Sequence, residues 1–178
     1  MSATELKPAI EPFVISRVFD APRELVFKAF TDPERMKHWW GPKGFKVIAQ
    51  NMDLRPGGMY HYGLEAPDGN TMWGRFVYRE IAAPERIVFV NSFSDEKGGL
   101  TRHPMSPGWP IEMLSTFLFE DVGEGRTKLT VTWVPINATD EEHDTFDKGR
   151  LSMTGGWTGT LDKLDVYLAD LKNQGPKV

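Results

Sequence analysis

From Thr139 to about Leu171 the chain carries one pattern long enough to dictate how everything before it must pack. Thr139 followed by Glu142 has capping-box spacing, in which a hydroxyl and a carboxylate satisfy the first free amides of a helix reciprocally. Asp140, Glu141 and Glu142 also set negative charge at the positive end of the helix dipole. Phe146, Arg150, Met153, Trp157, Leu161, Leu164, Leu168 and Leu171 then recur every three or four residues, which predicts a single long amphipathic helix. Gly155, Gly156 and Gly159 interrupt it around Trp157, where an interior glycine costs ~1 kcal/mol relative to alanine. Such glycines either let another surface approach closely or leave a space unfilled beside the helix.

The residues ahead of this helix read mostly as strands. Phe13–Asp20 predicts a first strand, with Phe13 and Ile15 on one parity and Ser16 on the other. Pro22 opens a helix over Arg23–Phe30, with Val26, Phe27 and Phe30 inward. Thr31 and Glu34 repeat the capping-box spacing and predict a second short helix running into Trp39 and Trp40, stopped by Gly41-Pro42. Strands are then expected at Phe45–Leu54, Met59–Glu65, Met72–Ile81, Arg86–Ser94, Ile111–Glu120 and Lys128–Val134. They are separated by turn residues such as Pro56-Gly57-Gly58, Pro67-Asp68-Gly69-Asn70 and Gly123-Glu124-Gly125. Strands spaced this closely argue for an antiparallel sheet rather than parallel units. Lys97–Pro110, rich in glycine and proline, is expected to be a long loop.

The predicted class is therefore α+β: a curved antiparallel sheet of about six or seven strands wrapped around the C-terminal helix, with two short helices after strand 1. One domain over residues 13–172 is expected, between an N-terminal tail at 1–12 and a C-terminal tail at 173–178.

Composition narrows the chemistry. With 40% hydrophobic and 26% charged residues and a net charge of -4, the chain is an ordinary globule without the basic field of a nucleic-acid binder. No apolar run approaches the ~20 residues needed to cross a bilayer. The first residues lack a signal-peptide pattern, so a cytoplasmic location is expected. Cysteine is absent, which removes disulfides, thiolate catalysis and cysteine metal sites. Of the four histidines, His143 sits in Glu141-Glu142-His143-Asp144, but consecutive helical residues point in different directions and cannot form one ligand set. His61 falls on the parity opposite Tyr60, Tyr62 and Leu64. No nucleophile elbow and no phosphate-cradling loop is present. No catalytic residue, metal site or cofactor is predicted.

The aromatic residues carry the functional expectation. Trp40, Tyr60, Tyr62, Phe76, Phe89, Phe93, Phe117, Trp133, Met153 and Trp157 suit a mostly apolar pocket with few polar handles. Arg75, Glu80 and Asn91 lie in strands with apolar residues on both parities; whichever points inward would orient a polar ligand head. The loop Lys97–Pro110, with His103, Met105 and Trp109, is a candidate lid. An exposed Trp39-Trp40 pair would offer a homodimer contact.

Four stretches resemble one known family: FDAPRELVFKAFTDPERMKHWWGP, DLRPGGMYHYGLEAPDG, GRFVYREIAAPERIVFV and GGWTGTLDKLDVYL. They are similar, in this order, to the family named for the activator of the 90-kDa heat-shock chaperone's ATPase, within the START-like (SRPBCC) superfamily. The resemblance covers Phe13 to Leu171 and implies the helix-grip fold. It also implies a hydrophobic pocket between sheet and helix for lipids, polyketides or other small apolar molecules. The expected function is thus binding of a small hydrophobic or aromatic ligand. The alternatives are a cyclase- or hydratase-like enzyme moving protons through Tyr60, His61 or Glu80, and an interaction protein engaging a chaperone. The last is ranked lowest because nothing before Phe13 could supply the co-chaperone's N-terminal module.

Overall fold

The computed structural model describes residues 11–173. The expected tails therefore lie outside the described residues except for Glu11, Pro12 and Asn173. The elements are β1 (Phe13–Phe19), α1 (Arg23–Thr31), α2 (Pro33–Met36), β2 (Lys46–Met52), β3 (Met59–Glu65) and β4 (Thr71–Ala82). They continue with β5 (Arg86–Ser94), β6 (Leu100–Thr101), β7 (Glu112–Gly123), β8 (Arg126–Ile136), α3 (Asp140–Lys148) and α4 (Arg150–Asn173).

The sheet is antiparallel throughout and runs β1-β8-β7-β5-β4-β3-β2, with the two-residue β6 pairing the end of β5. The first and last strands are thus neighbours, Ile15 opposite Val131, while β1 and β2 form opposite edges. Joining two edges needs a connection that crosses the sheet, and α1 and α2 supply it. Phe27 and Phe30 of α1 pack on Phe119 and Phe117 of β7 at 5.2 and 4.8 Å between ring centroids, within the range of favourable aromatic pairs.

The C-terminal segment is two helices, not one. Thr139 and Glu142 form the expected capping box, with amide-to-side-chain bonds of 2.9 and 3.1 Å. The break falls at Gly149, whose amide donates back to the Thr145 and Phe146 carbonyls. A side chain at Gly149 would meet the Trp109 ring at 2.7 Å, so the long loop occupies the space that a continuous helix surface would need. The second expected capping box is also displaced. Pro33 disfavours a helical conformation in the residue before it, so Asp32 is extended and becomes the cap, accepting from the Glu34 amide at 3.0 Å. Thr31 instead ends α1, its Oγ1 donating to the Phe27 carbonyl.

Trp39 and Trp40 are buried, contrary to the exposed pair expected from sequence. The turn after α2 carries them inward, where Trp39 Nε1 donates to the Ala29 carbonyl at 3.2 Å and its ring meets Phe30 at 4.6 Å. The ground for a dimer contact at this pair is thereby removed.

α4 changes character along its length. Leu161, Leu164 and Leu168 are fully buried against the sheet and α1–α2 side of the core. Its first half presents Ser152, Gly156 and Thr160 at four-residue spacing beside Met153 and Trp157, and there the space next to the helix is not filled.

Candidate functional site: the cavity between sheet and helix

The unfilled space is a cavity of about 580 Å³, within the ~300–1,000 Å³ usual for small-molecule sites. The concave sheet forms one wall through Tyr62, Phe76, Phe89, Phe93, Met113 and Trp133; α4 forms the opposite wall through Met153, Gly156, Trp157 and Thr160. Trp40 closes one end, its ring 5.4 Å from Phe76 and 5.8 Å from Trp157. The three loop residues His103, Ser106 and Trp109 cover another, with Lys148 and Ser152 exposed at the rim.

Glycines set the dimensions of this space, each in a different way. A Cβ on Gly156 would meet nothing within 4 Å, so this glycine leaves room in the cavity wall. A Cβ on Gly159 would touch the Lys43 backbone nitrogen at 3.1 Å; here the glycine permits close approach. On the sheet, a Cβ on Gly74 would lie 2.4 Å from the Tyr62 hydroxyl, so Tyr62 lies across the strand only because Gly74 has no side chain.

Of the ten residues expected at the pocket, eight line it: Trp40, Tyr62, Phe76, Phe89, Phe93, Trp133, Met153 and Trp157. Tyr60 and Phe117 do not. Tyr60 is fully buried behind Tyr62, its hydroxyl donating to Gln50 Oε1 at 2.9 Å. Phe117 is fully buried beneath Phe30 and Phe89. Both sit on the inward parity, but α1 and the α2 turn fill the part of the concave face that they occupy.

Asn91 is the inward polar residue among the three candidates, and it lines the cavity. The buried Ser115 hydroxyl donates to Asn91 Oδ1. Arg75 instead bonds the Gly98 carbonyl at 2.8 Å, and Glu80 pairs with Arg86. Residues that sequence reasoning missed include Met113, Met72, Ser92, Thr145, Ser152 and Thr160. The spacing of Ser152, Gly156 and Thr160 was a readable signal for a stripe of small residues facing open space.

The indole N–H groups of Trp133 and Trp157 and the Ser92 hydroxyl are buried without a partner. Burial raises the Tyr62 phenol well above its ordinary value, so it stays protonated. His103 accepts the Met105 amide at Nδ1, at 3.0 Å, and packs on Phe93; burial lowers its pKa and favours the neutral ring. No Asp or Glu occurs among the described residues of the wall.

The residues proposed from sequence as proton carriers are not brought together at this cavity. Besides Tyr60 and Glu80, His61 lies on the other face of the sheet, stacked on Trp73 and bonded to the Asp95 carbonyl. Glu142, beside His143, is occupied by the capping box and by Arg102 at 3.0 Å. No cluster able to hold a metal ion occurs among the described residues.

Residues 20–169 match the family described as "Activator of Hsp90 ATPase homolog 1-like protein". The chain belongs to this family. Members of the Hsp90 ATPase activator homologue family and similar solved structures share its fold. A protein from Arthrobacter aurescens is 25% identical with a TM-score of 0.74, the match covering 90% of this chain and 87% of that one. A Rhodobacter sphaeroides protein is 22% identical with a TM-score of 0.72, over 93% and 97% of the two chains. A protein of Silicibacter pomeroyi bearing the family's name is 21% identical with a TM-score of 0.68, over 89% and 98%. No curated protein matches the chain. No described helix is long and apolar enough to cross a membrane.

Proposed function

We propose that this member of the Hsp90 ATPase activator homologue family binds a small hydrophobic or aromatic molecule in the cavity between the sheet and α4. The observation that carries the reading is the pairing of an unfilled 580 Å³ space with a glycine, Gly156, that keeps it unfilled. An interior helical glycine costs ~1 kcal/mol, and a methyl group there would meet no neighbour. Packing therefore gives no reason for it, whereas occupancy by a ligand does. The wall supplies aromatic faces from Trp40, Phe76, Phe89, Trp133 and Trp157, suited to a flat apolar body.

Native mass spectrometry of the purified protein, with an organic extract of the same sample analysed alongside, tests this. A small apolar molecule retained at stoichiometric level, and lost in Gly156→Leu, is the expected result. A wild-type protein that takes up no compound from a broad panel of apolar and aromatic molecules would overturn it.

A further inference from the structure

The character of the cavity's polar groups restricts its ligand further, on the assumption that the cavity is the binding site. We infer that Asn91 is the specificity-determining residue of this cavity, reading a carbonyl oxygen on an aromatic ligand, and that Ser115 is the residue that positions it.

Asn91 and Ser115 are neighbours on β5 and β7, where Asn91 faces Met113 and Ser115 faces Phe89. Ser115 is fully buried and spends its hydroxyl proton on Asn91 Oδ1. That bond fixes the amide and takes one of the two lone pairs of its oxygen. Nδ2 is left out of that bond, and Asn91 lines the cavity. An amide oriented in this way has its two N–H bonds to offer a ligand.

The remaining wall reinforces the same selection. A ligand group that brings an acceptor satisfies the N–H groups of Asn91, and one that brings donors leaves them unmet. With no carboxylate among the described residues of the wall, an ammonium group would be desolvated without an ion-pair partner. The ligand chemistry that fits is an aromatic ketone, quinone, lactone or ester, not an amine.

Three naphthalenes of nearly one shape separate these cases: 2-acetylnaphthalene, 2-ethylnaphthalene and 1-(2-naphthyl)ethylamine. Their dissociation constants follow from quenching of tryptophan fluorescence. The ketone is expected to bind roughly tenfold more tightly than the hydrocarbon, the worth of about one net hydrogen bond. The ammonium form is expected to bind more weakly than either. Asn91→Leu should make the ketone and hydrocarbon equal, and Ser115→Ala should narrow the same ratio. Should Asn91→Leu fail to fold, Asn91→Asp replaces the donor with an acceptor and is expected to reverse the order of ketone and amine. Equal binding of ketone and hydrocarbon by the wild type, or a ratio unchanged in the variants, overturns the role of Asn91 while the cavity stands. Binding of none of the three overturns the cavity reading, and this inference with it.

Discussion

Replacing the glycines at the start of α4 should stabilise the fold and close its cavity, and the two effects separate by position. Gly155 and Gly156 are consecutive, both are interior to the helix, and a Cβ on either meets nothing within 4 Å. Each change to alanine recovers ~1 kcal/mol of helix propensity, which for a chain of this size raises Tm by roughly 2–4 °C. Gly155 is exposed and Gly156 lines the cavity. Gly155→Ala should therefore gain stability and leave uptake of naphthalene unchanged. Gly156→Leu adds to its propensity gain the burial of an apolar side chain, worth ~1.5–3 kcal/mol when complete and less in a space that water already enters. A net gain of about 1–3 kcal/mol is expected, with naphthalene binding reduced by at least tenfold. Urea denaturation followed by far-UV circular dichroism measures the first quantity, and calorimetric titration with naphthalene the second. Loss of stability in Gly156→Ala would mean that the wall is closed there. Unaltered naphthalene affinity in Gly156→Leu would mean that ligands bind elsewhere. Either result refutes the reasoning.

Four further outcomes follow from particular contacts. Lys163→Met should destabilise the chain by about 2–3 kcal/mol in urea denaturation, because Nζ bonds the carbonyls of Gly41, Pro42 and Phe45 at 3.0–3.3 Å and hydrogen bonds from a charged donor are the stronger kind. Gly74→Ala should cost roughly 1–3 kcal/mol by pushing Tyr62 off the strand, with a visible change in near-UV circular dichroism. The Glu142 carboxyl is held below its ordinary value, first by the Thr139 amide and then by Arg102. Its contribution is thus present above the unfolded value of ~4.3 and lost as pH falls through the folded one; urea midpoints of wild type and Glu142→Gln should differ at pH 7 and converge as the pH falls through that folded value. His103 is favoured neutral, so its packing on Phe93 is present above ~6.5 and lost as pH falls through its lowered value. Hydrogen exchange of the Met105 amide, bonded to His103 Nδ1, should accelerate as the pH falls through that lowered value, relative to neighbouring loop amides after correction for intrinsic rates.

What could be read from sequence was local. The β3 and β5 boundaries fall at the expected residues, because Pro56-Gly57-Gly58 and Asp68-Gly69 flank the first and Ala83-Pro84 precedes the strand-forming run of the second. The capping box at Thr139 is likewise a four-residue signal. Gly149 was not legible as a helix break, since the reason for it is Trp109, forty residues earlier in the chain. Trp39 and Trp40 failed similarly: whether an aromatic pair is exposed depends on which element folds over it. In the site, alternation put Tyr60, Tyr62 and Leu64 on one face of β3, yet could not tell cavity wall from filled core. Tyr60 and Phe117 share the concave face with Tyr62 and differ only in what α1 and α2 lay against them. Asn91 stood among residues apolar on both parities, and only the register with Ser115 across β7 reveals its orientation.

The methionines offer the most direct measurement of whether the space between sheet and α4 admits a ligand. Met72, Met113 and Met153 line the cavity, while Met36 is buried elsewhere and Met105 is exposed in the loop. With methyl-labelled methionine, a carbon–proton correlation spectrum recorded during titration with naphthalene reads all of these sites together. Saturable shifts at Met72, Met113 and Met153, with Met36 and Met105 unmoved, are expected. Shifts confined to Met105, or none at saturating naphthalene, would contradict a ligand-binding cavity at this position.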